Sequence, residues 1–143
     1  MILSDVEIER RLKDQSLLIA PFDPNSLKAA GYDLRLEDDL KLEPRQYKLV
    51  ASLERVELGD DLVGTLHIRS SLARSGIIGS LALVDPGFRG QLTILLYNVG
   101  DGAFVLHRKE GFLQMALHQL STKTQRPYRG KYQDSQGIVD SRL

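Results

Sequence analysis

The chain contains no cysteine. That absence excludes disulfides and thiolate metal sites and fits a reducing compartment. It also lacks an excess of charge, since 19 Lys and Arg residues face 19 Asp and Glu. No whole-molecule field therefore draws it to nucleic acid or to a membrane surface, and any polyanion site must be a local cluster. No apolar run approaches the roughly 18 residues that a membrane helix needs. The opening stretch MILSDVEIERRL is too charged for a signal peptide. Walker and dinucleotide fingerprints are missing, as are internal repeats and low-complexity tracts. These absences predict a soluble cytoplasmic protein with no nucleic-acid or membrane partner.

At 143 residues, with 42% apolar and 27% charged side chains, the chain has the length and composition of one globular domain with its own core. Ser4-Asp5-Val6-Glu7 has the form of a capping box and predicts a short helix over residues 4–13. The later signals are short and strand-like: Tyr32 to Leu36, Leu40 to Leu42, Tyr47 to Leu53, Arg55 to Leu58, Leu62 to Ile68, Leu92 to Asn98, Ala103 to His107, and Phe112 to Leu120. Asp101-Gly102 predicts a hairpin joining Leu92–Asn98 to Ala103–His107. Pro86-Gly87 suits the centre of a type II turn, where glycine accepts positive φ. RSSLARSG predicts one inserted helix, with Ser70 as N-cap and Gly76 as its stop. The expected fold is mainly β, a distorted β-barrel or jelly roll with a short N-terminal helix and one short inserted helix. Residues 1–121 form its body. Residues 122–143 are polar and aperiodic, an arm that orders only against something else.

Five features carry chemistry. The start of RSSLAR crowds Ser70, Ser71, Arg69 and Arg74 onto a helix N-terminus, where free N–H groups and guanidinium forks suit a phosphate; a solvated, capped helix reads the same way. Asp85 stands between the apolar runs Leu81–Val84 and Leu92–Tyr97. It is either a turn residue before Pro-Gly or a general base beside a phosphate ester. Phe88 offers a face for a sugar or base, and Asp33 offers a carboxylate near a hydrated Mg²⁺ or to its own backbone. The stretch PYRGKYQ brings Lys131 and Arg129 beside Tyr128 and Tyr132, which suits closure over a nucleotide. His67, His107 and His118 lack ligand spacing and read as structural.

In this order the segments MILSDVEIERRL, APFDP, AAGYDLRL, IRSSLARSG, VDPGFRG and GKYQDSQG…SR resemble the dCTP deaminase and dUTP pyrophosphatase superfamily, with the N-terminus and arm nearer the deaminase branch. The resemblance implies a homotrimer with sites at subunit interfaces and a Mg²⁺-complexed deoxynucleoside triphosphate. It implies that Asp85 orients the water that attacks the α-phosphorus. Ser70, Arg69 and Arg74 would hold the phosphates, Asp33 would stand near the metal through water, and Phe88 would pack on deoxyribose. Gln114 matches a motif glutamine, Lys131 a tail lysine that meets phosphate, and Tyr132 an aromatic that covers the base. The deaminase glutamate, in a T-L-E segment, is matched here by Leu95 of Thr93-Ile94-Leu95. A leucine cannot carry a proton. The hairpin from Gly76 to Asp85 is also about two residues shorter than in the superfamily's motifs. The expectation is a dUTP diphosphatase giving dUMP and pyrophosphate. The alternatives are a dCTP deaminase (dCTP to dUTP and ammonia) and a non-catalytic deoxynucleotide-binding regulatory module.

Overall fold

The computed structural model describes all 143 residues. Helix α1 (Asp5–Lys13) is followed by strands β1 (Leu17–Ala20), β2 (Leu27–Lys28), β3 (Gly31–Arg35), β4 (Leu40–Leu42), β5 (Tyr47–Leu58) and β6 (Leu62–Ile68). Helix α2 (Ser70–Arg74) precedes β7 (Ile77–Ser80), β8 (Arg89–Asn98), β9 (Phe104–Leu106) and β10 (Gly111–Gln119). One four-stranded sheet runs β1-β5-β8-β7 and the other β2-β3-β10-β6, with β4-β9 as a small third sheet. All these pairs are antiparallel. The inward faces share one core of 26 buried apolar residues, and the fold is the expected jelly roll.

Local chemistry explains the elements. Ser4 Oγ accepts the Glu7 N–H at 3.4 Å, which caps α1; the Glu7 carboxylate turns to Arg10 instead of closing the box. Strand β8 alternates strictly: Leu92, Ile94, Leu96 and Asn98 are buried, while Gln91, Thr93, Leu95 and Tyr97 lie on the outer face. This period of two fixes the side on which position 95 stands.

Four expectations need correction. The segments 47–53 and 55–58 form one strand whose register with β8 shifts between Ala51 and Arg55. That irregularity turns Glu54 inward, to 0% exposure, where it meets Arg35. The hairpin at Asp101-Gly102 does not form, because β9 pairs with β4. The buried amide of Asn98 diverts the chain: its nitrogen donates to Leu42 O (3.1 Å) and Gly102 O (2.9 Å), and its oxygen accepts the Gly100 N–H (2.9 Å). Arg69, not Ser70, is the N-cap of α2, and no side chain caps it. The apolar run 81–84 is no core strand, since Leu81 and Leu83 are exposed and only Val84 is buried, bridging to Gly64. Residues 122–143, read as ordering only against something else, meet this chain's own body. They pack on the chain's own Asp85 turn and β8.

Candidate active site

The predicted site residues fall into two groups. The first lies where β6 gives way to α2. Asp33 on β3 stands opposite Gln114 on β10, which in turn stands opposite His67 on β6. Arg69 donates to Gly111 O at 3.0 Å, and its Nε lies 3.2 Å from Asp33 Oδ2. The ammonium of Lys28 approaches the same carboxylate at 4.0 Å. Arg69 is thus half committed as the tie between β6, β3 and β10. Ser70, Ser71 and Arg74 are exposed, and Arg74 forms no ion pair. Asp33 is neutralised by two cations, and no group of three or more His, Cys, Asp or Glu side chains is placed to hold a metal ion. A single carboxylate paired in this way would reach a hydrated cation through water.

The second group surrounds the turn after Val84. Gly87 sits at φ +82° and Phe88 N–H bonds Asp85 O at 3.1 Å, which is the expected type II geometry. The Asp85 side chain is exposed and forms neither hydrogen bond nor ion pair, so both oxygens are available to a water. Phe88 is only 8% exposed and meets Tyr128 edge-on at 5.6 Å between ring centres. A cavity of about 360 Å³ opens between the outer face of β8 and the arm, lined by Phe88, Gln91, Thr93, Tyr132, Ser135 and Val139 among others. An adjoining shelf is lined by Tyr47, Ile78, Gly79, Ser80, Leu95 and Tyr97. No Asp, Glu, His or Lys lines either cavity.

The arm is where sequence reasoning missed most. Tyr128 N–H donates to Pro86 O (2.8 Å) and Asp134 N–H to Arg89 O (2.7 Å). Gln133 and Gln91 were not singled out beforehand, yet both are fasteners. Gln133 bonds the Asp85 turn, and Gln91 Oε1 accepts the Gly137 N–H at 2.6 Å. Thr93 Oγ1 accepts the Val139 N–H at 3.0 Å. Tyr132 OH accepts the Arg142 N–H at 2.9 Å, and that bond holds the phenol below its ordinary pKa. Lys131 donates to Arg142 O at 2.7 Å. His67 stands beside the first group, but its ring, like that of His118, bonds the Thr65 hydroxyl (3.2 and 2.9 Å), and His107 faces Asp39 at 3.7 Å.

The two groups do not meet on one chain. Val84 bridges Gly64 in antiparallel sense, so Asp85 heads toward Val63 while Arg69 lies at the opposite end of β6. Five residues of strand at about 3.3 Å each put roughly 16 Å between Gly64 and Arg69.

The dCTP deaminase-like family profile matches residues 36–120, which is more than half of the chain. The protein belongs to the dCTP deaminase-like family. Among its relatives, the protein named dCTP deaminase from Pyrococcus abyssi is 41% identical over 157 aligned positions, covering 99% of each chain. That alignment is longer than the 143 residues here, so this family member is a shortened one beside it. A probable deoxyuridine 5'-triphosphate nucleotidohydrolase from Sulfolobus islandicus rod-shaped virus 1 is 31% identical over 155 positions, covering 97% of each. The crystal structure of the 2'-deoxycytidine 5'-triphosphate deaminase from Agrobacterium tumefaciens superposes with a TM-score of 0.71 at 18% identity, over 81% of this chain and 47% of that one. That likeness concerns the fold. Of the two sequence relatives, the more similar bears the deaminase name, which favours the alternative function over the first expectation. No helix of this family member is long and apolar enough to cross a membrane.

Proposed function

We propose that this chain is a dUTP pyrophosphatase that releases dUMP and pyrophosphate. One observation carries the reading: the outer face of β8 presents Leu95 to the open shelf, and neither that shelf nor the cavity at Phe88 is lined by a carboxylate, imidazole or ammonium. Glu37, in a neighbouring cavity that shares Gln91 and Ser135, is held by the Gln91 amide, whereas the Asp85 carboxylate is exposed and unpaired. Deamination moves protons on and off the ring as ammonia leaves, and an aliphatic side chain cannot do that. Hydrolysis needs only an activated water. In this reading Asp85 takes the proton as the water oxygen bonds to the α-phosphorus. The bond from that phosphorus to the bridging oxygen breaks, and pyrophosphate leaves with the bond's electron pair. The Phe88 ring packs on the sugar, while Ser70, Ser71 and Arg74 hold the phosphates. A Mg²⁺ ion, carried by the nucleotide with Asp33 in its outer sphere, would neutralise phosphate charge.

Because Asp85 and Arg69 point to opposite ends of β6, a complete site takes one group from each of two chains. This supports an oligomer with shared sites, of the kind that the homotrimer implied by the family resemblance would provide. A second reading, dCTP deamination, is favoured by the name of the Pyrococcus abyssi relative. A substrate panel separates the two. Each deoxynucleoside triphosphate is incubated with Mg²⁺, and pyrophosphate and ammonia are measured separately. Pyrophosphate from dUTP without ammonia from dCTP is the expected result. Ammonia from dCTP refutes the proposal, and tight dUTP binding without pyrophosphate release identifies a regulatory module instead.

A further inference from the structure

The arm is joined to the Asp85 turn in a way that a covering flap does not require. Gln133 Oε1 accepts the Arg89 N–H at 2.8 Å, and its Nε2 donates to Gly87 O at 2.9 Å and to Tyr128 O at 3.4 Å. Tyr128 N–H takes Pro86 O, and Asp134 N–H takes Arg89 O. Ser135 continues the contact by bridging Gly90 in parallel. On its other side the turn is held by Leu58, whose O accepts from Gly87 N–H at 3.1 Å and whose N–H donates to Phe88 O at 3.0 Å. The packing is close enough that a Cβ at Gly87 would fall 2.7 Å from Pro127 Cβ. Every backbone carbonyl from Pro86 to Arg89 therefore has a partner, and Gln133 alone, through one planar amide, ties two peptide groups of the turn to the arm.

We infer that Gln133 is a positioning residue for Asp85: its amide fixes the turn that aims the carboxylate, and residues 127–135 of the arm are a brace belonging to the hydrolytic half-site. This inference rests on the reading of Asp85 as the water-activating base. Gln133 touches no reacting atom. Its loss should leave nucleotide binding intact and let the carboxylate wander from the line of attack, where a displacement of about 1 Å costs up to about 100-fold in rate.

The test uses Gln133→Met, which preserves bulk and removes all these bonds, with Gln133→Ala as a second variant, each alone and combined with Asp85→Asn. The full-length proteins are assayed for pyrophosphate release from dUTP, with melting curves to establish that they fold. The expected result is a kcat lower by about 10- to 100-fold with KM within about two-fold. In the Asp85→Asn background the Gln133 change should then have no further effect, because it acts only through that carboxylate. A Gln133 variant with wild-type kcat, beside an inactive Asp85→Asn protein, overturns the inference and leaves the functional reading standing. A loss that persists undiminished in the Asp85→Asn background also overturns it, since the role is then merely structural. Wild-type turnover by Asp85→Asn sinks the functional reading itself.

Discussion

Replacing Glu54 by glutamine tests how the body of the fold is held. Glu54 is fully buried at the irregularity of β5. One oxygen accepts the Arg35 backbone N–H at 2.9 Å and the other accepts Arg35 Nε at 2.6 Å. The guanidinium also reaches Pro21 O at 2.8 Å and Asp23 at 3.3 Å. Burial is the largest single influence and disfavours the Arg35 charge, but the hydrogen bond and charge of Glu54, with Tyr32 and Asp23, together outweigh it and leave the group above its ordinary pKa. A glutamine in this place satisfies one of the two N–H donors and turns its own amide against the other, while the cation loses its buried counterion. Breaking a buried pair from one side costs about 3–5 kcal/mol. For 143 residues the unfolding entropy is about 0.3 kcal/mol/K, so Tm should fall by roughly 10–17 °C. Melting is followed by circular dichroism at one fixed protein concentration, because assembly also raises Tm. The double change Glu54→Leu with Arg35→Met should recover most of the loss, since an apolar pair of similar volume replaces a buried ion pair at little cost. A Glu54→Gln protein melting within about 3 °C of wild type would refute the argument, because it would show the pair to be solvated.

Two further changes test the frame. Asp61 is held below its ordinary carboxyl pKa of 3.8, chiefly by the Arg11 fork at 2.9 and 3.1 Å. A depressed folded pKa stabilises above the unfolded value and is lost as pH falls through the folded one, so the wild type should lose stability below about pH 4. In Arg11→Met that part of the acid dependence should vanish from urea midpoints taken between neutral pH and about pH 2. Asn98→Ala removes three hydrogen bonds from a fully buried amide. It should cost about 2–3 kcal/mol by urea titration, and loosening of the loop after β8 should show as faster amide exchange at Gly100.

What the sequence disclosed depended on how local the cause was. The cap at Ser4 and the positive φ at Gly87 are set by a few neighbouring residues, and both could be read directly; the alternation of β8 could not, because Ile94 to Tyr97 are all apolar. Pairing across long separations could not. Asp101-Gly102 has the chemistry of a hairpin turn, but the Asn98 amide reaches across 56 positions to Leu42 and sends β9 to β4. Leu81 and Leu83 look like core and are exposed, because the chain there is fixed only at Val84. In the site, Asp85 and Phe88 stood out as a turn acid and its neighbouring aromatic. Gln133 did not, since a polar residue in an aperiodic segment gives no signal until its partner, 44 positions away, is known.

The alternation along β8 divides labour within a single strand. Leu92, Ile94 and Leu96 belong to the interior, while Thr93 and Leu95 face the cleft. A side-chain change at 95 therefore alters the lining of the cleft while leaving the architecture beneath it almost untouched. Under the proposed function, the step between losing an amino group and losing a pyrophosphate is short for evolution to take in either direction.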